Sequence, residues 1–171
     1  MGDRTTTIKC QKEIIRIGSF GDDILVRIEK SIEIKASPEK VWEMLAFDRR
    51  PEWMEVIKSV KYTSEVHTPE DKYKVGASAH MSEKYGKSDL EITESLENEK
   101  MVYSVRGYRG SKSTIGIFTL KSIQAGTEMT FAIDYEVTNV GFKVFDKLFL
   151  ERALKKDVQK FLEKLKSVLE K

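Results

Sequence analysis

The sequence predicts an α+β domain in which a run of antiparallel strands precedes one long C-terminal helix. Three observations carry this. Between Ile24 and Thr138 apolar residues recur at period two, the mark of half-buried strands. Ser37-Pro38-Glu39 interrupts that alternation with an N-cap residue, a proline at the first helical position and an early acid. Beyond Gly141, Leu154, Val158, Phe161, Leu165 and Val168 return at steps of three and four residues, an apolar helical stripe.

Taken in order, residues 1–23 form an N-terminal extension or an extra edge strand, with Gly18 to Asp23 as a turn cluster. Ile24, Val26, Ile28, Ile32 and Ile34 make the first clear strand. A short helix follows from Pro38 to about Phe47, burying Val41, Trp42 and Leu45, and Pro51 starts a second through Trp53 and Met54. Residues 59–138 read as hairpins. A two-residue turn at Asn98-Glu99 sets Leu96 opposite Met101, Glu94 opposite Tyr103 and Ile92 opposite Val105. A turn at Arg109-Gly110 sets Tyr103 opposite Gly116 and Met101 opposite Phe118. A turn at Ala125-Gly126 sets Gly116 opposite Tyr135 and Phe118 opposite Ile133, and one at Tyr85-Gly86 sets Ala77 opposite Glu94 and Met81 opposite Leu90. All four turns put the apolar residues on one face, which a one-residue slip would destroy.

The last helix carries a mismatch. Phe142, Phe145, Leu148 and Phe149 fall opposite the stripe that begins at Leu154. Either the helix breaks near Leu150–Ala153, so that both sets reach one core, or the aromatic turns face a cavity mouth, a membrane or a partner.

Composition removes several function classes. Thirty Lys and Arg against 28 Asp and Glu leave a net charge of +2, without the basic excess of a dedicated nucleic-acid binder. One cysteine, Cys10, excludes an intramolecular disulfide framework and a Cys-cluster zinc site. Two histidines, His67 and His80, lie in no triad-like or metal-ligating pattern, so no metal and no cofactor are expected. No apolar run reaches membrane-span length and no apolar leader opens the chain, so the expected location is cytoplasmic. The high charged fraction with scarce Gln and Asn is a thermophile-like bias. No sequence feature sets the oligomeric state.

The hairpin register singles out one row across the inner face: Ala77, Glu94, Tyr103, Gly116 and Tyr135. Small Ala77 and Gly116 leave room, while Glu94 and the tyrosines supply polar tips, the composition of a small-molecule site. Met81, Ile92, Phe118, Phe131 and Ile133 share that face, and Trp53 and Met54 are expected near its mouth with Phe145 and Phe149. The competing reading has Glu94 satisfied by Tyr103, or sitting at a wet rim, with nothing bound. Trp42 reads as core, and Glu91 beside Arg106 as an outer-face ion pair.

The stretch Ile32-Glu33-Ile34-Lys35-Ala36-Ser37-Pro38-Glu39-Lys40-Val41-Trp42-Glu43-Met44-Leu45, followed by Arg50-Pro51-Glu52-Trp53, resembles the opening of the SRPBCC (START-like) superfamily. The likeness is nearest to its polyketide cyclase/dehydrase and lipid-transport group, which includes quinone-binding Coq-type proteins. Phe149-Leu150-Glu151-Arg152-Ala153-Leu154-Lys155-Lys156-Asp157 is similar to that group's C-terminal helix. The resemblance covers residues 24–171 and implies a single helix-grip ligand-binding domain, a curved sheet wrapped around the long helix over an apolar cavity. It implies a class of ligand rather than one reaction. Three functions follow: a module that binds or carries a hydrophobic lipid, quinone or polyketide-like molecule; a cyclase/dehydratase-type enzyme using Glu94 or a tyrosine as acid-base; and a protein-interaction module docking through Phe142–Phe149. Lys155, Lys156 and Lys160 read as a solvated face, or as an aid to transient contact with an anionic membrane.

Overall fold

The structure, a computed structural model, describes residues 17–20, 23–84, 86–107, 113–138 and 144–171, with side chains for 26–84, 86–107, 113–136 and 152–171. Strands β1 (Ile17–Phe20) and β2 (Asp23–Ile34) lead into helix α1 (Pro38–Glu43) and a 3-10 helix over Phe47–Glu52. Then come β3 (Ile57–Tyr62), a second 3-10 helix over Pro69–Tyr73, β4 (Ser78–Glu83), β5 (Gly86–Leu96), β6 (Lys100–Arg106), β7 (Ser113–Ile123), β8 (Gly126–Thr138) and α2 (Val144–Leu169). Among the described residues these strands form one antiparallel sheet in the order β1-β2-β8-β7-β6-β5-β4-β3. The chain leaves β2 near one edge and re-enters at the other, and α1 with the first 3-10 helix makes that crossing. With the curved sheet and the long final helix this is the helix-grip architecture.

Period two in sequence becomes alternating burial. Val26, Ile28, Ile32 and Ile34 of β2 turn inward, as do Met101, Tyr103 and Val105 of β6. From α2, Leu154, Val158, Leu162 and Leu165 complete the core. The C-terminal end of α2 is tied to the end of β2: the Lys35 N–H donates to Glu170 Oε1 (2.7 Å) and Lys166 Nζ to the Glu33 carbonyl (2.5 Å). Outside, Glu91 and Arg106 pair at 3.4 Å across β5 and β6, an exposed contact worth well under ~1 kcal/mol.

Several expectations are corrected. α1 stops at Glu43, and the second helical turn starts at Phe47 with Pro51 inside it. The break is Ala46, whose extended backbone (ψ 141) no helix accepts. The expected turn cluster from Gly18 gives way to strand as far as Phe20. β1 pairs with β2 as an edge strand. α2 runs unbroken through 150–153, which removes the first of the two alternatives for its aromatic start, a break near Leu150–Ala153. Phe142 and the side chains of Phe145 and Phe149 lie outside the described residues, as does Cys10.

The hairpin registers are corrected too. β6 and β7 pair as expected, Tyr103 opposite Gly116 and Met101 opposite Phe118. In two hairpins the turn falls one residue earlier, so each pairing slips by two and every side chain keeps its face. Thus Gly116 opposes Ile133, not Tyr135, and Ala79 rather than Met81 opposes Leu90. Gly126 is not a turn centre but the first residue of β8. A Cβ there would meet the Ile34 carbonyl at 2.2 Å. The β5–β6 hairpin differs in kind. Leu96 opposes Lys100 across a three-residue turn in which Asn98 takes φ 61. A bulge follows between Ile92 and Glu94, so Ile92 opposes Tyr103 while Glu94 opposes Val102. One extra residue flips every position beyond it. Glu94 therefore leaves the inner row, which runs Ala77, Ile92, Tyr103, Gly116, Ile133 and Ile28.

Gly116 is the tightest point of that row. A Cβ on it would lie 2.1 Å from Tyr103 Cζ, because the Tyr103 ring covers it. Gly116→Ala should cost about 1–3 kcal/mol of stability in urea unfolding, and distinctly less in a Tyr103→Ala background. An equal cost in both backgrounds would locate the strain elsewhere.

Asp71 organises the second 3-10 helix, accepting from the backbone N–H of Thr68 (2.8 Å) and His67 (2.9 Å) and from Lys74 Nζ (2.6 Å). The Lys74 ammonium, then the two amides, hold its carboxyl well below the usual aspartate range. A lowered folded value stabilises above the unfolded value and is lost as pH falls through the folded one. Amide protection around Thr68 should therefore be unchanged down to the ordinary aspartate range and weaken below it. In Asp71→Asn the protection should be low at every pH.

Candidate functional site

The site begins with a local choice in the run Asp48-Arg49-Arg50-Pro51-Glu52. Arg49 turns to solvent and pairs with Glu52 at 2.7 Å. Arg50, one residue on, turns inward and is 1% exposed. Its Nε donates to the Leu45 carbonyl (3.2 Å) and Nη2 to Met101 Sδ (3.8 Å). Its Cζ lies 3.9 Å from the Tyr103 ring centroid, 4.6 Å from Phe47 and 5.2 Å from Phe118. Desolvated cation–π contacts of this kind contribute about 2 kcal/mol. Among the described residues no carboxylate pairs with Arg50. Burial pulls its guanidinium pKa down, with Tyr103 and Tyr62 opposing.

The rings that hold Arg50 hold one another. Tyr103 stacks on Phe118 (centroids 5.5 Å), Phe118 leans on Phe131 (4.5 Å), and Trp53 meets Phe118 edge-on (5.9 Å). The Trp53 indole N–H donates to the Met44 carbonyl (2.9 Å), which fixes the segment after the 3-10 helix. Burial pushes the Tyr103 hydroxyl pKa up, Arg50 opposing and Glu83 adding to the rise. At neutral pH the Tyr103 hydroxyl therefore keeps its proton.

Beside this cluster lies a cavity of about 50 Å³. Its apolar wall includes Met54, Met81, Phe131, Ile133 and, from α2, Phe161. Arg50, Glu83, Tyr103 and Thr114 supply the polar lining, and Gly116 part of the floor. That volume accommodates one or two waters. A larger guest needs side chains to move, and the unbranched Met54 and Met81 are suited to it.

Of the residues expected from sequence, Met54, Met81, Tyr103, Gly116, Phe131 and Ile133 line this cavity. Trp53, Ala77, Ile92, Phe118 and Tyr135 are buried in the core without lining it. Trp42 is core as well, stacked on Tyr73. Glu94 is displaced by the bulge: its side chain is 45% exposed and pairs with Lys100 at 2.9 Å. The expected carboxylate inside the row is absent there, and Glu83 on β4 is the acid that lines the cavity. Arg50, Glu83, Thr114, Val56, Ile57, Val105 and Phe161 were not anticipated as lining residues. Phe161 was at hand in the apolar stripe of the last helix. Among the described residues no group of three His, Cys, Asp or Glu is placed to hold a metal, and no helix is long and apolar enough to cross a membrane.

A family model described as "Polyketide cyclase / dehydrase and lipid transport" matches residues 26–170. The chain belongs to this family. No curated protein matches it in sequence. Among solved structures, a START superfamily protein from Mycobacterium smegmatis superposes with a TM-score of 0.68 at 11% identity, over 84% of this chain and 97% of that one. A Staphylococcus aureus protein of unknown function gives 0.68 at 17% identity, over 87% and 96%. The di-domain ARO/CYC StfQ of the steffimycin biosynthetic pathway gives 0.68 at 14% identity, over 85% of this chain and 51% of the di-domain. At these identities the likeness is one of fold. The family fits binding of hydrophobic small molecules, which agrees with an apolar cavity under the sheet.

Within this family member, Phe118 joins the strand stack to the crossing segment. Phe118→Ala should cost about 3–5 kcal/mol in chemical unfolding. A loss below ~1 kcal/mol would mean that the ring cluster does not bear on stability.

Proposed function

We propose that the protein binds a hydrophobic small molecule in the cavity between the sheet and α2, as a binding or carrier module rather than an enzyme. One observation carries this: a mostly apolar wall with a few convergent polar groups, Arg50, Tyr103 and Thr114 among them. Burial of apolar ligand surface supplies affinity at roughly 25 cal/mol per Å² before the costs of ordering. The family description, which names lipid transport beside cyclase and dehydrase activity, supports the ligand class.

The enzymatic alternative has less support. Glu94, the acid the sequence offers, pairs with Lys100 outside the cavity lining. The interaction reading rests on Phe142–Phe149, whose side chains are outside the described residues.

The test is titration with N-phenyl-1-naphthylamine, an uncharged fluorophore that brightens in apolar surroundings. The parent should bind it saturably at one site. Met81→Trp, which fills the wall, should weaken binding at least tenfold while leaving the circular dichroism spectrum unchanged. A parent protein with no saturable signal would overturn the proposal.

A further inference from the structure

Resting on that reading of the cavity, we infer that its guest carries a planar oxyanion, in the simplest case a carboxylate, and that Arg50 binds it. The argument is a count of donors. A guanidinium offers five N–H groups in a fixed fork. The Leu45 carbonyl takes the one on Nε, the Met101 thioether takes one on Nη2 as a weak acceptor, and the Tyr103 hydroxyl engages a third. Among the described residues at least two terminal N–H groups remain without an acceptor, on a side chain 1% exposed that lines the cavity. The faces of Phe47, Tyr103 and Phe118 stabilise the charge, but a ring face gives no lone pair to a donor in the guanidinium plane.

Charge points the same way. A buried cation without a counter-ion is a costly way to fill a core, and an apolar residue of similar volume commonly does it better. Two free terminal donors on a fixed fork match the two oxygens of a carboxylate, the geometry in which arginine surpasses lysine. The ligand class is thus an apolar body with an anionic oxygen end, the body against Met54, Met81 and Ile133 and the anion at Arg50.

The experiment is displacement of N-phenyl-1-naphthylamine by dodecanoate and by dodecanol, at pH 8 and below the micellar range. The pair has one chain length and differs only in the head. The parent should bind dodecanoate at least tenfold more tightly than dodecanol. Arg50→Met should keep its dodecanol affinity and lose the preference, while Arg50→Lys should retain part of it. Equal displacement by both in the parent would overturn the inference and leave the binding proposal standing. Failure of the fluorophore itself to bind would remove both. A preference that survives in Arg50→Met would place the anion site elsewhere. Should Arg50→Met not fold, the parent comparison and Arg50→Lys decide alone, equal affinities for acid and alcohol in either counting against the inference.

Discussion

The ring of Phe118 is the contact on which the rest of the molecule depends. It sits on β7 and touches Tyr103 of β6, Phe131 of β8 and Trp53 of the crossing segment. Three neighbouring strands and the link between the sheet's two edges therefore share one aromatic cluster. Aromatic pairs add about 0.5–1.5 kcal/mol each beyond their buried area. The same cluster provides the only surroundings in which Arg50 can be buried without a carboxylate beside it, among the described residues. Packing and burial of the charge are consequently coupled: loosening the stack loosens the cage around the cation.

Most of the fold was legible because alternation carries its own check. A slip of two residues leaves every side chain on its face, so misplaced turns at Ala125-Gly126 and Tyr85-Gly86 did not disturb the core assignment. The glycines misled because each begins a strand rather than centring a turn, Gly126 for want of space against the end of β2. The bulge at Thr93 left no such margin. Nothing in Ile92-Thr93-Glu94 signals an extra residue, and the error reached the site by carrying Glu94 inward.

Arg50 was illegible for a different reason. It stands in a charged run that reads as surface, and Arg49 beside it is indeed at the surface, paired with Glu52. In a 3-10 helix neighbouring residues differ by about 120° in direction, so adjacent arginines face opposite environments. The sequence does contain a signal, Pro51 flanked by the large apolar Phe47, Trp53 and Met54, which marks a turn anchored on both sides. A residue held between such anchors has little freedom to leave the core whatever its charge.

The bulge in β5 has a consequence for how this sheet tolerates change in length. On its Gly86 side, Leu90 and Ile92 owe their inward direction to an unbroken parity, and one residue gained or lost would exchange core for solvent along the strand. On its far side the strand ends in Glu94, Ser95 and an exposed Leu96 around a turn that already takes an unusual backbone. Thr93 acts as a frame boundary: variation in loop length is confined to the tip beyond it, where the inner row has no side chain to lose.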